Sequence, residues 1–202
     1  MAVTKRLPSS ERRKQIVKAG LELCRAAGIA SLRTEKIARK IGVTPGALFR
    51  HYPTKSAILH DMSRSLLARL RDSVPADSSD PREWIEEFVR GRVRLLREDE
   101  EVRLLFSDGF IAALPEEAQA EVHDAFKKSW VTLNEKVRQI QSAGEARADL
   151  ATHELAAAVV GLIQAVLHPP LADLPEWSSP ETVWATARDL LGIRQPALKG
   201  GR

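Results

Sequence analysis

The chain has 202 residues, 44% of them apolar and 29% charged, with a formal net charge of +4 and a single cysteine. This is the mixture of a soluble protein with room for one medium domain, or for a small domain joined to a larger one. It excludes an internal disulfide, a multi-cysteine metal site and a membrane helix, since no apolar run reaches the roughly 18 residues that a bilayer span needs.

The longest apolar stretch, residues 155–167, is too short and carries Gln164. Residues 1–10 are basic and polar with no apolar run behind them, so no secretion signal is read there and the cytoplasm is the expected compartment. Charge is unevenly placed. Residues 1–55 hold 13 Lys and Arg against Glu11, Glu22 and Glu35, a net +10, while the remainder is −6. A basic segment on an acidic remainder suits a polyanion, because Lys and Arg gain affinity by displacing counterions from phosphates.

In chain order the apolar residues recur at helical spacing almost throughout, with no strand-like alternation, which predicts an all-α fold. A first helix is expected over residues 10–27, with Ile16, Ala19, Leu23 and Ala27 on one stripe, Cys24 in the core and Gly28 as the stop. A short helix over 32–40 turns Ile37, Ala38 and Ile41 inward and is broken by Gly42. Thr44 then offers a cap and Pro45 stands at the first helical position, where its missing N–H costs little. Pro53 ends that brief third helix, and Thr54 can cap a longer one over 55–72 with Leu59, Met62, Leu66 and Leu70 as its stripe. A Ser, Asp and Pro-rich loop over 73–81 leads to a fifth helix opened by Asp80, Pro81 and Glu83. Further helices are expected over 98–113 and 115–143, the latter carrying Val122, Phe126, Trp130, Leu133, Val137 and Ile140. Two apolar helices follow, over 152–168 and 180–191. Their lack of a polar face requires cover from this domain or from a second subunit. The tail from Arg194 is read as disordered.

Two short helices around a Gly42 turn form a helix-turn-helix, whose second helix enters the DNA major groove while the first braces the backbone. With Ile37, Ala38, Val43 and Leu48 turned inward, Thr44, Pro45, Ala47, Phe49, Arg50 and His51 remain as outward groups. Gly46 and Ala47 permit close approach, Thr44 suits a phosphate, and Pro45 and Phe49 suit thymine methyls. Arg50 suits guanine or phosphate, and Lys55 adds charge at the start of the next helix.

The run IARKIGVTPGALFRHYPTKSAIL, residues 37–59, together with residues 16–28, resembles the amino-terminal signature of the tetracycline-repressor (TetR/AcrR) family. The resemblance covers the first third of the chain. It implies a three-helix DNA-binding unit with a helix-turn-helix and a connecting fourth helix, here 9–69. A larger helical effector-binding and dimerisation domain, 70–193, is implied to follow, and then the tail, 194–202. It also implies that the residues matching Thr34, Thr44, Pro45, Gly46, Ala47, Phe49, His51 and Lys55 meet DNA, and that the last two helices pair with those of a second copy. On these helices the interface residues are expected to be Leu155, Val159, Leu162, Val166, Val183, Ala187 and Leu190. The chain departs from the family pattern at Leu32 and Arg33, where a Thr pair is frequent. It departs again at Pro45 for Lys, Ala47 for Thr and Phe49 for Tyr. With fewer polar base donors on the helix, specificity is expected to rest on Arg33, Arg50, methyl contacts and DNA shape.

A small apolar or amphipathic effector is expected in a cavity lined by Phe88, Phe106, Phe110, Phe126 and Trp130, with Arg92, Arg103, Asp108, His123 or Gln164 orienting it. The five histidines, His51, His60, His123, His153 and His168, are scattered, and none shows the close spacing of a zinc helix motif, so no metal or cofactor is expected. No nucleophile elbow, phosphate loop or catalytic carboxylate pair is present, which argues against an enzyme. The expected partners are therefore an operator in double-stranded DNA, a second copy of the chain and the effector. A DNA-binding structural or division-control protein of the same fold, without a small-molecule effector, is the alternative.

Overall fold

The computed structural model describes residues 8–76, 80–168 and 176–193; the tail, 194–202, the centre of the loop after the fourth helix, 77–79, and Pro169 and Pro170 lie outside them. Among the described residues every regular element is helical. In chain order these are α1 (Ser9–Ala27), α2 (Thr34–Lys40), α3 (Pro45–Phe49), α4 (Lys55–Asp72), α5 (Pro81–Glu98), α6 (Asp108–Ala113), α7 (Glu116–Ser142), α8 (Thr152–Ala165) and α9 (Pro180–Leu191). Short 3-10 turns cover Ile29–Ser31 and Val102–Phe106. No helix among these residues is long and apolar enough to cross a membrane.

Local capping chemistry sets the starts of α3, α4, α5 and α9. Thr44 Oγ1 accepts the Ala47 N–H at 3.2 Å, Thr54 Oγ1 accepts that of Ala57 at 3.1 Å, and Asp80 Oδ1 accepts that of Arg82 at 2.8 Å. Ser179 Oγ accepts the Thr182 N–H at 3.0 Å and opens α9 in the same way. Each bond satisfies a donor that the first helical turn cannot pair, and a cap of this kind contributes about 1 kcal/mol.

Two helices differ from the pattern expected of them. The single helix expected over 98–113 is interrupted: Ser107 takes an extended conformation (φ −102°, ψ 118°) between the 3-10 turn and α6. On α1 the buried stripe runs through Ile16, Val17, Gly20, Leu21 and Cys24, whereas Leu23 is half-buried and Ala27 exposed. The cause is a close approach of α4: a Cβ on Gly20 would lie 2.8 Å from Met62 Sδ, so the helices meet where α1 has no side chain. That rotation puts Cys24 in the core, where burial pushes its thiol up to about 11.

The chain divides into two compact units, one made of residues 1–69 and 100–125, the other of 70–99 and 126–202. The segment 100–125, which the sequence pattern groups with the later helices, thus packs with the amino-terminal unit. The first unit closes over Ile16, Leu21, Ile37, Leu48, Ile58, Met62, Leu66, Phe110 and Val122, all buried. Burial of each such side chain contributes roughly 1.5–3 kcal/mol. The second unit is built from α5, the later part of α7, α8 and α9, around Trp84, Ile85, Val89, Val93, Leu133, Val137, Ile140, Leu155, Val159 and Leu191.

Candidate nucleic-acid interface

Gly42, at φ +69°, reverses the chain between α2 and α3 in a conformation that L side chains rarely adopt. The Val43 N–H closes the turn on the Ala38 carbonyl at 2.9 Å. Thr44 then starts α3, whose underside is Leu48 and whose outward side presents Pro45, Gly46 and Phe49; Leu48 is fully buried and Phe49 is 41% exposed. Ala47 is half-buried, so of the small residues on α3 it is Gly46 that lies open.

Four contacts hold α3 and the turn that follows. Ser9 Oγ lies 3.2 Å from His51 Nδ1, tying the turn to the start of α1. Tyr52, fully buried, donates its hydroxyl to Asp61 Oδ2 at 2.6 Å, and Arg13 donates to the same oxygen at 3.0 Å. The Arg13 guanidinium also lies 4.5 Å from the Tyr52 ring centre, a cation–π contact. Burial, helped by the bond to Asp61, pushes the Tyr52 phenol up to about 12. Desolvation raises the Asp61 carboxyl, but the hydrogen bonds from Tyr52 and Arg13 outweigh it and leave the group below its ordinary range.

The basic side chains fall into two groups. Lys14 pairs with Glu11 at 2.9 Å, Lys40 with Glu22 at 2.9 Å and Arg25 with Glu100 at 2.8 Å. By contrast Arg33, Lys36, Arg39, Arg50 and Lys55, all exposed, have no ion pair or side-chain hydrogen bond among the described residues. Lys55 is the first residue of α4, a helix with no acidic residue in its first turn. A cation at the positive end of a helix gains nothing from the helix dipole, yet beside Thr54 and the free amides it suits an anion from outside. Thr34, half-buried, begins α2 next to Arg33.

All ten residues predicted to meet DNA keep accessible surface. Sequence reasoning missed Arg13, Tyr52 and Asp61, which support that surface from beneath. The available signal was the chain's single tyrosine, placed directly after the helix-turn-helix.

The residues expected to line an effector cavity are divided. Phe106 and Phe110 belong to the first unit, where Phe110 is fully buried; Phe88, Phe126 and Trp130 belong to the second. Phe88 stacks on Trp84 with ring centres 5.1 Å apart and planes 9° apart. A groove of about 610 Å³ in the second unit is lined instead by charged residues of α5 and α9, including Glu83, Glu86, Arg90, Glu181 and Arg188. Arg90 bridges Glu86 at 2.8 Å and Glu181 at 2.9 Å across it. Of the polar residues expected to orient a ligand, Asp108, His123 and Gln164 are exposed and Arg103 is half-buried, while Arg92 is buried.

The residues expected at the subunit interface divide by burial. Leu155, Val159, Val166, Val183 and Ala187 are already buried within one chain and have almost no surface left for a partner. Leu162 and Leu190 keep part of theirs. In the first unit the fold also brings His60 to Glu121, with Nε2 3.1 Å from Oε1, and near Glu117, with Nδ1 3.9 Å from its carboxylate. Among the described residues this is the one His and carboxylate group close enough to converge on a single ion, and its members lie too far apart in sequence to form a motif.

Residues 16–62 match the profile of "Bacterial regulatory proteins, tetR family". The class D tetracycline repressor of Escherichia coli is 34% identical over 86 residues, 42% of this chain and 38% of the repressor, so the chain matches well under half the length of the first curated relatives. The regulator TtgR of Pseudomonas putida, named as an HTH-type transcriptional regulator, is 28% identical over 95% of this chain and 96% of its own. Among solved structures, AibR in complex with isovaleryl coenzyme A and operator DNA superposes with a TM-score of 0.73 at 18% identity, covering 91% of this chain and all of AibR. Residues 16–62 thus match the amino-terminal unit of the tetR family of bacterial regulatory proteins, and the chain has the all-helical fold of solved regulators such as AibR.

Proposed function

We propose that this chain is a ligand-responsive transcriptional regulator, acting as a repressor, that grips a palindromic DNA operator as a dimer. The observation that carries this reading is the set of exposed cations at and around the helix-turn-helix, Arg33, Lys36, Arg39, Arg50 and Lys55, which have no partner among the described residues. Phosphates neutralise such a set, with Arg33, Thr34, Thr44, Arg50, His51 and Lys55 as backbone contacts and Pro45, Gly46, Ala47 and Phe49 against the groove. Arg33 and Arg50 are the candidates for reading guanine, and Phe49 for a thymine methyl.

The dimer is assigned to the outer face of α8, where Ala157, Gly161 and Gln164 are exposed, together with Leu162 and Leu190. Small residues there would let two helices approach closely. Two copies related by a two-fold axis read two half-sites one helical turn or a multiple of it apart. A ligand that binds one dimer geometry better than the other shifts the separation of the two α3 helices and with it DNA affinity. The structure of AibR with both a small molecule and operator DNA supports a regulator of this type, as do the names of the tetracycline repressors and TtgR.

Mapping occupancy on the source genome tests the reading. One or a few promoter palindromes are expected. Many dispersed sites with no shared palindrome would instead fit the structural or division-control role and overturn the repressor.

A further inference from the structure

Helix α5 buries Ile85, Phe88, Val89, Val93 and Leu96 at intervals of three and four residues, and Arg92 occupies the next place on the same stripe. Its side chain is buried almost as an apolar residue would be, at 5% exposure. Arg90 and Arg97 of the same helix have polar partners, Glu86 and Glu181 for the first and Ser178 for the second. Arg92 has none: among the described residues no carboxylate, carbonyl or hydroxyl takes its guanidinium hydrogens. Its one contact of this kind is the face of Phe88, with the guanidinium carbon 5.3 Å from the ring centre.

That contact is too weak to account for the burial. Holding an ion out of water costs several kcal/mol even after relaxation, and a desolvated cation–π contact returns about 2. Burial pushes the group down to about 10, so it still carries its charge at neutral pH. Every wholly sealed side-chain nitrogen among the described residues has a hydrogen-bond partner. The guanidinium nitrogens have none among the described residues, so each keeps some surface that a small molecule can reach. Phe88, which the guanidinium covers, stacks in turn on Trp84, and Lys136, itself buried, has its Nζ 5.9 Å from the Trp84 ring centre.

We propose that Arg92 is the anchor for the carboxylate of a small apolar or aromatic acid, which binds in the second unit against the Trp84–Phe88 stack and serves as the effector. This rests on the reading of the chain as a ligand-responsive regulator and names the chemistry of its ligand. A carboxylate matches the planar guanidinium fork with two parallel hydrogen bonds and cancels one charge with one charge. A neutral ligand leaves the cation uncompensated. The rest of the stripe is hydrocarbon and aromatic, which calls for an apolar body on the acid.

The test is a thermal melt of the full chain with octanoate, decanoate, phenylacetate and phenylbutyrate, each beside its alcohol and primary amide. DNA retention is measured in the same samples. At a hundredfold excess over Kd, a bound acid should raise Tm by about 5–10 °C, and the neutral counterparts should not. Arg92→Met should abolish the shift while melting, without ligand, no lower than the wild type, because it removes an uncompensated buried charge. Arg92→Lys, which keeps charge but loses the fork, should show a reduced shift. The proposal is overturned by an acid panel without effect, by alcohols or amides that act as well as acids, or by an Arg92→Met variant that keeps the shift. Misfolding or a clear loss of Tm in Arg92→Met overturns it too, since that would make the arginine structural. If the wild type retains DNA and the acids do nothing, this inference alone fails; if the wild type retains no DNA, the regulator reading fails and the melts still decide Arg92.

Discussion

Tyr52 sets how firmly the segment after α3 is held. Its hydroxyl supplies one of the two hydrogen bonds that keep Asp61 ionised in a partly desolvated place, and Asp61 joins α4 to Arg13 of α1. Removing that hydroxyl leaves the carboxylate with one donor in place of two. Tyr52→Phe should therefore cost about 1–2 kcal/mol of stability in urea unfolding, because the bond is made to a charged acceptor. Asp61 is held below its ordinary range, so its contribution is present at neutral pH and is lost as pH falls through the folded-state value. In Tyr52→Phe that value rises, and acid unfolding should begin at a higher pH than in the wild type. An identical acid limb in the two proteins would show that Asp61 does not depend on this donor.

At the scale of the element, what could be read from the sequence is what is settled locally. The caps at Thr44, Thr54, Asp80 and Ser179 lie next to the turns they start, and α4 and α9 have the bounds that their apolar spacing predicts. The stripe on α1 was not legible in the same way, because Gly20 is buried through contact with Met62, 42 positions further along the chain. Nor can periodicity say what covers an apolar face. Leu155, Val159 and Val183 are spaced as an interface would be, yet they are buried inside their own chain. The positions proposed to face DNA could be named from the sequence because one short run carries most of them. Arg13 and Asp61 were not, since only tertiary packing brings them to Tyr52. Gly20→Val tests the α1–α4 approach: the branched side chain meets Met62, itself fully buried, and should cost about 1–3 kcal/mol. A melting temperature equal to that of the wild type would show that the two helices have room to spare.

For the whole molecule, the distribution of charge matters more than its total. A net +10 in residues 1–55 and −6 in the rest put the attraction for a polyanion in the amino-terminal segment. Electrostatic grip of this kind falls with salt in proportion to the number of phosphates engaged. In a dimer, Lys55→Ala removes two such contacts, so the slope of log affinity against log salt should become shallower by about 2. Phe49→Ala adds the loss of an exposed apolar contact without opening a cavity, because the ring is not part of the core. The most direct measurement is the affinity of the Phe49→Ala, Lys55→Ala double variant for the occupied promoter fragment, across a salt series and beside the wild type. The expected result is a folded protein with affinity reduced roughly a hundredfold and a shallower salt slope. An equally folded variant with unchanged affinity and slope would contradict the assignment of α3 and the start of α4 as the DNA-binding surface.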